Sequence, residues 1–89
     1  MLKIALSGCN GRMGRVITDI VSGREGMEIV AGFDINTAKN GAFPVFADPF
    51  EFQGDCDVII DFSNASSTEH LLDYCEKHHI PVVICTTGH

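Results

Sequence analysis

Nowhere in the 89 residues is there an apolar run close to the roughly twenty that cross a bilayer, so no membrane span is expected. Basic residues are scarce, with six Lys and Arg against twelve Asp and Glu, for a formal net charge of −6. A field of that sign repels phosphate backbones and anionic lipid, and neither nucleic acid nor a membrane surface is an expected partner. Any anionic ligand must instead be held locally. The four cysteines, Cys9, Cys56, Cys75 and Cys85, form no C-x-x-C pair, which argues against a zinc knuckle or a thioredoxin-type couple. They read as reduced, mostly buried thiols. His, Asp and Glu are not spaced for a metal cluster, and no nucleophile stands beside a base. Tryptophan is absent. The first residues show neither a basic leader nor a cleavage site, so the expected compartment is the cytoplasm.

Against these absences stands one conspicuous stretch. The apolar run Leu2-Lys3-Ile4-Ala5-Leu6-Ser7 leads directly into Gly8-Cys9-Asn10-Gly11-Arg12-Met13-Gly14. Glycines at the exit of a buried strand let backbone approach a pyrophosphate, and the helix they open aims unpaired N–H groups at it. The spacing Gly8-x-x-Gly11-x-x-Gly14 is one residue longer than the common G-x-G-x-x-G fingerprint. Asn10, which tolerates left-handed backbone, softens that departure. By itself the triplet is equally compatible with a ligand-free strand-to-helix turn. Arg12 and Arg15 beside it are the candidate local cations.

The rest of the chain supplies the context. A strand over 2–7 is followed by a helix over 11–22 with Met13, Val16, Ile17, Ile20 and Val21 as one apolar stripe. A second strand over 27–33 ends at Asp34, 20 residues past Gly14, where a dinucleotide fold places the acid that binds the adenosine ribose. A strand-end turn residue or helix cap is the alternative for Asp34, and its register with the glycine loop favours the ribose role. Residues 35–43 read as a loop, 44–47 as a short strand, and Asp48-Pro49 as the cap and first position of a brief helical turn. The span 57–62 is a near-continuous apolar strand of the kind buried on both faces. A helix to about 78 follows, burying Leu71, Leu72 and Cys75, with Ser63, Asn64 and Ser66 as candidate caps and Ser66-x-x-Glu69 at capping-box spacing. A last strand over 81–85 leads to Thr86-Thr87-Gly88-His89.

Strands alternating with helices, joined by right-handed crossovers, predict an α/β fold with a parallel sheet of order 3-2-1-4-5. Ligands of such sheets bind beyond the carboxyl ends of the strands, where the order reverses. Gly8 to Gly14, Asp34, Phe62, Ser63 and Cys85 to Gly88 all fall at those ends. His70, His78 and His79 are expected on the surface of the late helix, away from the glycine loop.

With these segments in place, the chain resembles the amino-terminal domain of the dihydrodipicolinate reductase family of lysine and diaminopimelate biosynthesis. Three strings carry the likeness: Gly8-Cys9-Asn10-Gly11-Arg12-Met13-Gly14-Arg15 after its strand, Asp61-Phe62-Ser63 leading to Glu69-His70-Leu71, and Pro81-Val82-Val83-Ile84-Cys85-Thr86-Thr87-Gly88. The resemblance implies a Rossmann-like parallel sheet with helices on both faces. It also implies an NAD(P)H-dependent reductase acting on a cyclic dipicolinate-type intermediate. Gly8, Cys9, Asn10, Gly11, Arg12 and Met13 would wrap the pyrophosphate, Asp34 would hold the adenosine ribose, Cys85, Thr86 and Thr87 would line the nicotinamide end, and Phe62 would be a further cofactor contact. Where the family often has an arginine for the 2′-phosphate of NADPH, this chain has Ile35, which argues for NADH as the preferred cofactor, while Arg12 keeps NADPH open.

The family's catalytic residues, substrate contacts and tetramer-forming sheet belong to a second domain, so residues 1–89 are expected to be the dinucleotide-binding domain of a longer two-domain enzyme. That enzyme is expected to be a homotetramer. The piece alone should be inactive and, with one sheet face incompletely covered, marginally stable. A self-contained nucleotide-binding or redox-sensing module, and the first domain of another oxidoreductase, are the alternatives.

Overall fold

The computed structural model describes residues 1–39 and 43–85. Five strands form one parallel sheet: β1 (Leu2–Ser7), β2 (Met27–Phe33), β3 (Val45–Phe46), β4 (Val58–Asp61) and β5 (Val82–Ile84), in the order β3-β2-β1-β4-β5. Two helices, α1 (Arg12–Ser22) and α2 (Ala65–His78), and a 3-10 turn (Pro49–Glu51) complete the described elements. The order reverses between β1 and β4, as expected from crossover handedness.

Side chains alternate across β1, and the two faces gather separate cores. Ala5, Ala31, Phe33 and Ile59 pack with Leu71, Tyr74 and Cys75 of α2. Leu6 packs with Cys9 and Phe43, and Ile17 of α1 lies against that group. The two helices therefore cover opposite faces.

The capping chemistry explains most element boundaries. Asp48 accepts the Phe50 N–H at 3.0 Å, while Glu51 accepts the Asp48 N–H at 3.1 Å, which closes a capping box over the 3-10 turn. For α2 the cap is Asn64, whose side chain accepts the Ser67 N–H at 3.0 Å. The helix starts at Ala65, so of the candidate caps Asn64 takes the position, two residues ahead of the box expected at Ser66. His79 ends α2 in a left-handed conformation at φ 55°.

Two expectations about burial fail. Along α1, Gly14 and Val21 are buried, whereas Met13, Val16 and Ile20 are 48%, 44% and 47% exposed. A helix lying flat on a sheet buries only its nearest stripe, and nothing among the described residues covers its flank. Leu72 is likewise exposed, one position round α2 from the buried Leu71.

Candidate functional site

The first turn of α1 sits on the glycine loop with no room between them. A Cβ on Gly14 would lie 2.3 Å from the Gly8 carbonyl oxygen, and one on Gly8 would lie 2.9 Å from the backbone of Phe62 and Ser63. Gly8 also has φ +78°, a region that side chains disfavour. Glycine is thus required at both positions by backbone contact. The Gly8 N–H donates to the Phe33 carbonyl at 2.7 Å, and the Phe62 N–H to the Ser7 carbonyl at 2.9 Å. These bonds fix the exits of β1, β2 and β4 against one another.

Helix α1 opens with the amides of Arg12, Met13 and Gly14, which have no acceptor within the helix. Its cap residue, Gly11, provides no side-chain bond, and no acid stands in the first turn. Arg12 and Arg15 are exposed beside it. An anion is the natural complement to such a terminus.

Asp34 lies beyond the end of β2, and its carboxylate is held on both oxygens. Oδ2 accepts the Asn10 N–H at 3.0 Å, and Oδ1 accepts the Asn36 N–H at 3.0 Å. Because a carboxylate offers about four acceptor positions, further hydrogen-bond donors can still be accommodated.

Asp61, at the end of β4, is fully buried. It accepts from the Ser63 N–H at 2.9 Å, the Ser63 hydroxyl at 2.5 Å and the Thr68 hydroxyl at 2.7 Å. This aspartate works inward, tying the turn that carries Phe62 and Ser63 to α2.

A cleft of about 580 Å³ opens at this edge of the sheet, lined among others by Gly8, Gly11, Asp34, Ile35, Phe62 and His70. Its size suits a cofactor-scale ligand. Gly8, Gly11, Asp34 and Phe62 were all expected there. Cys9 takes a different place: its side chain is buried under the sheet with Leu6 and Phe43, leaving its backbone to the loop. Burial, aided by the charge of Asp34, pushes its thiol up to about 11. The Asn10 side chain turns to the segment after Asp34 rather than to the helix terminus. Arg12 and Met13 are exposed on the first turn of α1. Cys85 is exposed past β5, with its N–H on the Asp61 carbonyl at 2.8 Å. Thr86 and Thr87 lie outside the described residues.

His70 corrects the sequence reading. It stands on the first half of α2, close enough to the carboxyl edge to line the cleft, and its Nε2 is 2.9 Å from Asp48 Oδ1. Bonds from His70 and the Phe50 N–H hold the Asp48 carboxyl below its usual range. Ala47 and Pro49 also line the cleft. Their signal lay in the topology, since residues just past β3 must emerge at the same edge.

The parallel order, the glycine loop at the β1 exit and the oriented carboxylate past β2 define a Rossmann-like α/β domain. A family model described as "Dihydrodipicolinate reductase, N-terminus" matches residues 2–89, and the chain belongs to that family. The 4-hydroxy-tetrahydrodipicolinate reductase of Clostridium tetani is 45% identical over 89 residues, covering 100% of this chain and 35% of the relative. That of Caldanaerobacter subterraneus is 41% identical over 88 residues, covering 99% and 35%. The chain therefore spans about a third of the length of these relatives. Among solved structures, a dipicolinate-bound dihydrodipicolinate reductase from Paenisporosarcina sp. TG-14 aligns with a TM-score of 0.84 at 26% identity, over 99% of this chain and 38% of that one.

Proposed function

We propose that residues 1–89 are the dinucleotide-binding domain of a 4-hydroxy-tetrahydrodipicolinate reductase, binding NADH in preference to NADPH. The observation that carries this reading is the meeting, at one cleft, of an uncapped helix start, a glycine loop in backbone contact and a carboxylate aimed by two N–H groups. The residues present fit such a cofactor. Gly11, Arg12 and Met13 offer helix-terminal amides to the pyrophosphate, with Gly8, Cys9 and Asn10 forming the loop beneath it. Asp34 accepts the adenosine ribose hydroxyls on the acceptor positions its internal bonds leave. Cys85, Thr86 and Thr87 belong to the nicotinamide end, and Phe62, which lines the cleft, is a further cofactor contact. Ile35 puts an aliphatic side chain where a 2′-phosphate needs a donor, and Asp34 adds a repulsive charge; both favour NADH.

When bound, the cofactor supplies a hydride; these residues hold its adenosine and pyrophosphate. Reduction of the cyclic dipicolinate-type intermediate in lysine and diaminopimelate biosynthesis falls to the full-length enzyme, a cytoplasmic homotetramer whose second domain brings the substrate contacts. A paired titration with NADH and NADPH at fixed salt, followed on nicotinamide fluorescence, tests the domain. Saturation by NADH with weaker NADPH binding and no steady-state oxidation is the expected result. Equal affinities would transfer the 2′-phosphate to Arg12, and no binding by folded protein would overturn the reading.

A further inference from the structure

The extra residue between the first two glycines has a visible use. Cys9 sinks into the core, 2% exposed, and Asn10 then stands over the β1 exit facing the segment that follows Asp34. Its Nδ2 donates to the Asn36 carbonyl at 2.5 Å and to the Ala38 carbonyl at 2.8 Å, while its N–H donates to Asp34 Oδ2 at 3.0 Å. The segment adds bonds of its own: the Asn36 N–H on Asp34 Oδ1 at 3.0 Å and the Ala38 N–H on Asn36 Oδ1 at 3.2 Å. Between these anchors lies Ile35, which is 88% exposed and yet lines the cleft. An isoleucine so exposed would otherwise be free to swing away. Bonds on both of its neighbours hold it against the opening.

We propose that Asn10 is a positioning residue, a strut that presents Asp34 and Ile35 to the adenosine half of the dinucleotide; this rests on the dinucleotide reading above. A two-residue advance from the first glycine to the second would leave no side chain at this point. The longer spacing exchanges a compact loop for a brace between the phosphate end and the ribose end of the site. Asn10 acts through Asp34 and the segment 35–38, and the pyrophosphate stays with the amides of α1.

The test compares the wild-type chain with Asn10→Ala, which keeps the backbone N–H bond to Asp34 and removes both Nδ2 bonds. Two neutral hydrogen bonds correspond to about a tenfold change. Hydrogen exchange at the Asn36 amide should therefore accelerate about tenfold in N10A, and affinity for NADH should fall by a similar factor. Competition by adenosine 5′-monophosphate should weaken in parallel, while competition by inorganic pyrophosphate stays unchanged. General loosening of the fold would weaken both competitors. Unchanged exchange at Asn36, unchanged NADH affinity, or equal loss of both competitors overturns the proposal. If the wild-type chain binds no NADH, the dinucleotide reading fails, and with it the assignment to adenosine; the exchange rates then show separately whether the strut exists.

Discussion

The two faces of the sheet are closed to different degrees and from different material. On the α2 face the core comes almost wholly from regular elements, with Tyr74 1% exposed and its ring 6.0 Å from Phe33 and 5.2 Å from Phe50 in edge-to-face contact. On the α1 side Leu6 clusters with Cys9 and Phe43, which come from the β1–α1 and β2–β3 connections, while Val21 of α1 is buried as well. The outer stripe of α1 lies open. Val83 of β5 is also 51% exposed, and the alternation from Val82, which packs with the α2 core, points it to the α1 side. One face thus carries stability in its regular structure, whereas the other draws part of its core from connections, among them the glycine loop that borders the cleft. Loosening the first should cost folding, and loosening the second should be felt at the site.

The largest effect is expected on the α2 face. Tyr74→Ala removes a buried ring packed against the rings of Phe33, Phe50 and His78, and large aromatic truncations in cores cost about 3–5 kcal/mol. For a domain of this size that is a large part of the total. Urea unfolding should show the midpoint collapse, with little folded baseline left. A loss under about 1 kcal/mol would mean that the α2 face is not the stabilising one.

The sequence disclosed the α2 face and the sheet better than the α1 face. Strand order followed from alternating elements and crossover handedness, and Gly8, Gly11, Asp34 and Phe62 could be placed in the cleft because strand ends in a parallel sheet share one edge. What misled was the width of a helix stripe. Met13, Val16 and Ile20 are apolar at the right intervals, but periodicity marks a face without saying whether anything covers it. Cys9 and Asn10 shared one motif and were given one role, yet one went down into the core and the other across to the next loop. His70 is exposed on α2 as expected, but it was set together with His78 and His79 away from the site, although the early turns of α2 remain beside the cleft. Those outcomes depend on tertiary neighbours that no local pattern contains.

An intermediate effect should appear in alkali, and it weighs the two faces against each other. Burial raises the thiols of Cys9, on the α1 face, and Cys56, against the α2 core, each from 9.0 to about 11. Cys75 and Tyr74, also on the α2 side, are pushed the same way by desolvation. Because the folded values are the higher ones, the unfolded chain loses these protons first. Their contribution is complete below pH 9 and declines as pH rises towards 11, by at most about 1.4 kcal/mol per pH unit for each thiol. Urea midpoints measured across that range should fall with pH. Cys56→Ser should flatten the decline about as much as Cys9→Ser, and adding Cys75→Ser should flatten it further. A decline that only Cys9→Ser relieves would place the tighter packing on the α1 face.

The smallest effect is the sharpest test of openness. Val16→Ser exchanges a 44% exposed side chain on the outer stripe of α1, and surface changes of this kind stay within about 0.5 kcal/mol. Val21→Ala, at a site 6% exposed on the same helix, removes two buried methyl groups and should cost roughly 1.5 kcal/mol. Both substitutions start from a valine of one helix, and because alanine favours a helix over serine by about half a kcal/mol, the measured difference understates the effect of coverage. If Val16→Ser instead costs as much as Val21→Ala, the outer stripe is buried against something in solution, and the contrast between the two faces disappears.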